Sequence, residues 1–383
     1  MKKNRGKTKI NLMFFVYIFG QGGAERVILN ILNHINNVKY NITLILGSEI
    51  DNHQYLKQLT NKNVRIDYLG VPFRNDDAAI NSLAKTINQY NPDVLITEAK
   101  YTNYLSYHAK KLSKNHHVKL IFREAVNRSA CKDEGFIQKL KTSLHYNFGP
   151  SKIICVSQGV ADDLVNHYKI RKKKIVVIYN PTDLSLINIK SNEPINNSTF
   201  AKIKGKKIIT VGRLSPSKNQ KLLLNAFSKI KTKNISLILL GSGELEAELK
   251  DHCKKNAIKN IYFLGNVPNP YQFVKNSDLF VLSSLREGAA NVIIESMAVG
   301  TPIISTDCPS GPKELIKNNK YGLLAPLNDE NTLAALIDKV LNNPVLRKKY
   351  SKLGKIRCQD FAIEKLVPRY EKLIDDIIKK EQL

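Results

Sequence analysis

Ser283-Ser-Leu-Arg-Glu287-Gly-Ala-Ala-Asn291-Val-Ile-Ile-Glu295-Ser-Met-Ala-Val-Gly300-Thr-Pro302 reads as a strand exit, a loop and a short helix in direct succession. The apolar run Leu279–Ser283 supplies the strand, and Glu287-Gly-Ala-Ala is a loop of small residues. Asn291, or the residue just before it, is placed to cap an apolar helix that ends at Gly300, and Pro302 opens another strand. Neither flanking strand alternates apolar with polar residues. That pattern belongs to strands buried on both faces of a parallel sheet.

The same unit recurs on both sides. Toward the amino end, β-branched runs are expected as strands at Ile10–Phe19, Ile42–Leu46, Val64–Tyr68, Val94–Thr97, Val118–Phe122, Ile153–Val156 and Ile175–Tyr179. Around the quoted stretch they fall at Lys207–Val211, Ser236–Leu240, Ile261–Leu264, Leu279–Ser283, Pro302–Thr306 and Gly322–Ala325. Helical patterns such as Ala24–Asn33, Asn219–Ile230 and Leu245–Lys255 supply the crossovers. The fold class is therefore α/β, with two doubly wound Rossmann-like domains facing across a cleft. The expected boundaries are 1–183, a linker 184–206 rich in Asn, Ser and Lys, 207–362, and an amphipathic helix over 363–383. In such sheets ligands bind outside the carboxyl ends of the strands.

Composition narrows the function classes. Sixty Lys and Arg against 33 Asp and Glu give a formal net charge of +27, a field that favours polyanions or phosphorylated small molecules. A bias toward Lys, Asn and Ile in the coding sequence accounts for such a charge equally well. It is spread along the whole chain, so no dedicated nucleic-acid face is visible. The five cysteines Cys131, Cys155, Cys253, Cys308 and Cys358 form no C-x-x-C pair and no zinc-spaced cluster, which suits reduced thiols in a cytoplasmic protein. The basic start Met1–Lys9 followed by Leu12–Phe19 imitates a leader but lacks its cleavage signal and reads better as a first buried strand. No run is long enough to span a bilayer.

Four segments carry chemistry. Gly20-Gln-Gly22-Gly23-Ala-Glu25-Arg26 lies at a strand-to-helix turn, where glycines permit close ligand approach and a helix start favours an anion; the plain alternative is a tight turn. Gly212-Arg213-Leu-Ser-Pro-Ser-Lys218-Asn219 places two cations after a central strand, suited to a diphosphate, or else forms a solvated basic loop. Gly241-Ser-Gly-Glu244 is another glycine-rich strand exit, either a turn or a wall of a pocket. In the quoted stretch, small residues at Gly288, Ala289 and Ala290 expose N–H groups at a helix start, Glu287 stands beside them, and Glu295 is about one turn further on. Each carboxylate can accept hydrogen bonds from sugar hydroxyls. The alternative is a satisfied glutamate on a core helix.

With these segments in order, the chain resembles the retaining glycosyltransferases of family four, which have the GT-B architecture. The likeness covers essentially the whole chain and is strongest from Lys206 to Pro326. Glu287 and Glu295 match the family's E-x7-E pair, Arg213 and Lys218 its diphosphate-holding cations, and the Gly20–Arg26 loop its domain-one loop. Asn180-Pro181 matches the stretch before its interdomain linker. Asp307-Cys-Pro-Ser-Gly-Pro-Lys-Glu314 is similar to a subgroup that builds bacterial surface glycans on lipid carriers.

The resemblance implies an acceptor-binding first domain, a donor-binding second one, and a final helix over 363–383 that packs back on the first domain. Glu287, Arg213 and Lys218 are then catalytic, and Gly22, Gly23, Gly212, Gly241, Gly288, Ala289, Ala290, Asn291 and Glu295 bind the donor. Many family members carry a His in domain one where this chain reads Arg123-Glu-Ala-Val-Asn-Arg128; Glu124 and Glu25 are the acceptor-side candidates here.

The implied reaction moves a hexose or N-acetylhexosamine from a nucleotide sugar, with UDP the expected base, to a glycan or polyprenyl-diphosphate-linked acceptor with retention. It would serve surface polysaccharide synthesis in the cytoplasm or on the inner face of the cell membrane. No cofactor and no metal are expected, and no D-x-D motif occurs. The segment Gly135–Phe148 mixes cations with aromatics at helical spacing, suited to an anionic membrane surface or to ordinary packing. Readings that share the architecture are a sugar-nucleotide epimerase and a phosphorylase. A polyanion-binding protein rests on charge alone.

Overall fold

The computed structural model describes residues 9–20, 22–49, 53–131 and 134–379. The leader-like start, apart from Lys9, lies outside them, as do Gln21 of the first glycine-rich loop and the last four residues of the expected C-terminal helix. The chain divides into two units, residues 1–181 with 363–383, and residues 182–362.

The first unit is built on β1 (Ile10–Phe15), β2 (Tyr40–Leu46), β3 (Val64–Tyr68), β4 (Val94–Glu98), β5 (Lys119–Glu124), β6 (Lys152–Cys155) and β7 (Ile175–Val177). They pair in the order β3-β2-β1-β4-β5-β6-β7, all parallel. Leu12 sits between Ile42 and Val94, which shows why the run is apolar on both sides. β1 stops at Phe15, short of the expected Phe19, because the chain turns there toward the glycine-rich loop. The helix Ile363–Lys379 buries Ile363, Leu366, Val367, Tyr370, Leu373, Ile374 and Ile377 along one face, in the same apolar cluster as Leu12, Phe14 and Ile96.

The second unit repeats the plan. Its strands are β8 (Lys206–Val211), β9 (Ile235–Leu240), β10 (Ile261–Gly265), β11 (Leu279–Leu282), β12 (Ile303–Thr306) and β13 (Leu323–Ala325), ordered β10-β9-β8-β11-β12-β13 and all parallel. In each sheet the order reverses beside the first strand, between β1 and β4 and between β8 and β11. Ligands of doubly wound sheets bind at that reversal.

Residues 184–206, expected as a linker, carry two short helices. Asp183 caps the helix Leu184–Ser191 through Leu186 N (2.8 Å), Asn197 caps Ser198–Lys202 through Phe200 N (2.8 Å), and the segment belongs to the second unit. The two chain crossings lie side by side, with Thr182 N donating to Phe361 O at 2.9 Å and Thr182 bridging to Ala362.

Candidate active site

The second unit gathers its polar groups at the reversal between β8 and β11. After β8 the chain passes Gly212 and Arg213 into a short 3-10 turn, Pro216–Lys218. After β11 it runs through Ser283, Ser284 and Glu287 to the helix Asn291–Val299. Backbone and side-chain bonds stitch the two loops together. Leu285 N donates to Ser217 O (2.9 Å), and Ser283 Oγ donates to Lys218 O (2.9 Å). Lys218 Nζ then reaches Glu287 Oε1 at 2.6 Å, in a contact where both side chains are largely shielded.

Glu287 is fixed from three sides. Its Oε1 also accepts from Ser284 Oγ at 2.6 Å, and Ser284 is fully buried. Its carbonyl accepts from Ser310 Oγ, which comes from the loop after β12. A Cβ on Gly311 would stand 3.2 Å from the Ala289 carbonyl carbon, so that loop presses on the small residues of the glutamate turn. Ala290 adopts a left-handed conformation (φ 49°) as it caps the helix. For a residue with a Cβ this costs about 1–2 kcal/mol. The positive end of the helix dipole therefore lies at residues 288–291, and Glu295 is half-buried within that helix.

Arg213 is different. Its side chain is 73% exposed and its Nε meets Glu244 Oε2 at 3.1 Å, a solvated pair. Gly241 is required by packing: a Cβ there would lie 2.1 Å from Gly212 O. Burial, followed by the charge of Glu287, pushes the Cys308 thiol up to about 12, so it stays protonated and inert.

In the first unit, Gly22 and Gly23 lead into the helix Gly23–His34. The Glu25 carboxylate folds back over that start, where a Cβ on Gly22 would lie 2.0 Å from its Oε2. Burial raises its pKa, partly offset by its own backbone N–H and by Arg123.

Glu124, the other acceptor-side candidate, is engaged inside the first unit. It is 2% exposed, and its Oε2 accepts from Arg128 Nε (2.7 Å) and Tyr146 OH (2.8 Å), so it is an internal counter-ion. The preceding residue, Arg123, is wholly buried, pairs with Glu98, and donates to Asn180 Oδ1 and to Tyr370 OH. It ties the ends of β4 and β5 to the C-terminal helix. Burial pushes Glu98 up to about 7 against the pull of Arg123, and its Oε1 is buried with no hydrogen-bond partner among the described residues.

The structure thus brings Lys218, Glu287 and the 288–291 turn together, with Arg213 on the same loop as Lys218. Gly22, Gly23, Glu25 and Glu124 belong to the other unit. Ser284, Ser310 and Glu98 carry contacts that sequence reading assigned to none of them. Only the short distance from Ser284 to Glu287 along the chain hinted at one. Among the described residues no group of three or more His, Cys, Asp or Glu is arranged to hold a metal ion.

Residues 21–186 match the family described as Glycosyltransferase Family 4, and residues 191–357 match Glycosyl transferases group 1. A Campylobacter jejuni protein, N-acetylgalactosamine-N,N'-diacetylbacillosaminyl-diphospho-undecaprenol 4-alpha-N-acetylgalactosaminyltransferase, is 30% identical over 91% of this chain and 95% of its own length. The chain belongs to glycosyltransferase family 4. A second relative of this glycosyltransferase, the Escherichia coli UDP-Gal:alpha-D-GlcNAc-diphosphoundecaprenol alpha-1,3-galactosyltransferase, is 27% identical over 99% of both chains. Among solved structures, Anabaena HepE in complex with UDP and glucose superimposes with a TM-score of 0.81 at 17% identity, covering 96% of this chain and all of that one. The lipopolysaccharide outer core galactosyltransferase WaaB gives 0.72 at 18% identity over 97% of this chain and 100% of its own. These likenesses establish the GT-B fold for the glycosyltransferase.

Proposed function

We propose that this glycosyltransferase moves a hexose or N-acetylhexosamine from a UDP-linked donor to a glycan carried on a polyprenyl diphosphate, with retention, in surface polysaccharide synthesis. The observation that carries the reading is the 2.6 Å contact of Lys218 with Glu287 at the β8–β11 reversal, beside the start of the helix Asn291–Val299. A cation, a carboxylate and a helix amino terminus at one sheet reversal suit a sugar diphosphate. The names of the Campylobacter and Escherichia coli relatives, which act on undecaprenyl-diphosphate-linked acceptors and form α linkages, support the acceptor class and retention.

The donor's diphosphate lies over residues 288–291, and Gly212 and Gly241 give it room. Glu287 accepts from hydroxyls of the transferred sugar and Glu295 from the ribose. As the bond from the anomeric carbon to the diphosphate oxygen breaks, its electron pair leaves with UDP. Lys218, Arg213 and the helix dipole stabilise that growing charge. The acceptor hydroxyl oxygen bonds to the anomeric carbon on the face the diphosphate leaves, and its proton passes to the departing diphosphate oxygen. In the first unit, Gly22 and Gly23 open the helix Gly23–His34 as further donor-loop candidates, and Glu25 beside them serves the acceptor.

A thermal-shift series with UDP, GDP and ADP tests the donor site. UDP should raise the melting temperature of the wild type and not of Glu295→Ala. No shift with any of the three would overturn it.

The acceptor class also calls for a membrane surface. No helix among the described residues is long and apolar enough to cross a membrane. The helix Phe136–Phe148, however, leaves Phe136 (83%), Ile137 (70%), Leu140, Leu144 and Phe148 (63%) exposed, with Ile137, Leu140, Leu144 and Phe148 along one face. Lys141 borders that face, Lys139 lies on the same helix toward its packed side, and a charge of +27 favours anionic lipid. We place this helix on the inner face of the cell membrane. Flotation with phosphatidylglycerol vesicles should fall when Lys139 and Lys141 are changed to Glu, and unchanged flotation would remove the assignment.

A further inference from the structure

Three aromatic rings converge beyond the carboxyl ends of β1, β3 and β4. Tyr17 follows β1 by two residues, Phe73 lies in the loop after β3, and Tyr101 stands in the first turn of the helix Ala99–Leu112 that follows β4. Ring centroids are 5.3 Å apart for Tyr17–Phe73, 5.3 Å for Tyr17–Tyr101 and 5.0 Å for Phe73–Tyr101, all tilted or edge-on. Such geometries are favourable for aromatic pairs.

The cluster is anchored through its polar tips. Tyr17 OH lies 2.8 Å from both Val71 O and Pro72 O, and its ring rests where a Cβ on Gly47 would collide at 2.4 Å. Tyr101 OH donates to Asp76 Oδ1 at 2.9 Å and accepts from Arg74 N at 3.1 Å. Arg74 is held in the left-handed region (φ 69°), a strained conformation for a residue with a side chain. Both hydroxyls are thus spent on fixing the 71–76 loop, and Phe73, gripped by two rings, stays 45% exposed. Charged groups surround it: the Arg74 guanidinium stands over its ring, 5.5 Å from the centroid, and Asp76 is beside the cluster.

A rigid aromatic ring bordered by charged groups matches a pyranose, which has an apolar C–H face and a rim of hydroxyls. An isoprenoid tail would need a longer apolar surface, such as the one on the helix Phe136–Phe148. We propose that the Tyr17–Phe73–Tyr101 cluster is a sugar-binding subsite for the acceptor glycan, in which a pyranose ring stacks on Phe73. The inference rests on the glycan-acceptor reading and adds the residue that grips the acceptor.

The chain has no tryptophan, so Phe73→Trp installs a single reporter. Its emission is followed against the methyl glycosides of N-acetylgalactosamine, N-acetylglucosamine, galactose and glucose, with UDP and farnesyl phosphate as non-sugar probes. A saturable change with at least one glycoside is expected. Saturation-transfer NMR on the otherwise native chain should show that glycoside binding roughly fivefold to tenfold more weakly to Phe73→Ala, the range of one aromatic contact, with Phe73→Tyr restoring it. Melting curves establish that each variant is folded. No glycoside response in either experiment, or a response to UDP or farnesyl phosphate alone, overturns the subsite. UDP binding on the same samples separates the two readings. A chain that binds UDP and ignores every glycoside loses only the subsite, whereas one that binds glycosides at Phe73 and no nucleoside diphosphate loses the donor assignment.

Discussion

Replacing Arg213 with Ala separates function from stability more cleanly than any other change at this site. The side chain is 73% exposed and pairs at 3.1 Å with Glu244, which is 48% exposed. A solvated pair of this kind contributes about 0–1 kcal/mol. In a domain of this size that moves the melting temperature by no more than about 4 °C. The rate should respond far more. If the guanidinium binds the departing diphosphate, its loss removes a charge-stabilising donor worth about 3–4 kcal/mol, on the order of 10²- to 10³-fold in kcat/KM. Arg213→Lys keeps the charge but loses the two-pronged geometry, so it should recover only part of that loss. The assay is transfer from radiolabelled UDP-sugar to a lipid-linked acceptor, with melting curves on the same preparations. A kcat/KM within threefold of wild type would refute the role of Arg213. A fall in melting temperature of about 10 °C would refute the premise that the residue is structurally idle.

Ser284→Ala removes one of the two hydrogen-bond donors on the Glu287 carboxylate. A bond to a charged group is worth about 1.5–3 kcal/mol, so kcat/KM should drop roughly 10- to 100-fold, and a rate near wild type would show that Lys218 alone positions the glutamate. Glu244→Gln frees Arg213 from its carboxylate and should lower KM for the donor by up to about fivefold; an unchanged or raised KM would exclude competition at that side chain. Glu98 holds its proton up to about 7 in the folded chain against 4.5 when unperturbed. Between these values the folded state binds more protons than the unfolded state, so stability falls as pH rises through that window. Glu98→Gln should flatten that part of a melting-temperature profile, and an unaltered slope would assign the proton elsewhere.

Much of the fold was legible because parallel strands buried on both faces leave continuous apolar runs such as Leu12–Phe15 and Ser236–Leu240. The 184–206 stretch shows the limit of composition. Asn, Ser and Lys marked a linker there, but Asp183 and Asn197 are helix caps, and a cap reads as a loop until its helix is recognised. The burial of Glu124 was hidden for another reason. Its partner Arg128 is four residues along and visible in sequence, yet nothing local says that the pair turns inward, because its burial depends on Tyr146 from the helix Phe136–Phe148. Ser310 is separated from Glu287 by a helix and a strand. Only the pairing of β11 with β12 makes its hydroxyl a support for the glutamate turn.

Each cation at the β8 exit is matched by a carboxylate within the same unit, Arg213 by Glu244 and Lys218 by Glu287. On the proposed donor reading, a bound diphosphate competes with both carboxylates for positive charge. As the anomeric bond breaks, charge accumulates on the departing oxygen, and the contest would shift toward the substrate. Interactions that strengthen only along the reaction raise kcat rather than merely tightening binding. By holding the cations in place and partly neutralised, Glu244 and Glu287 would then keep ground-state affinity modest and leave the larger electrostatic gain for the transition state.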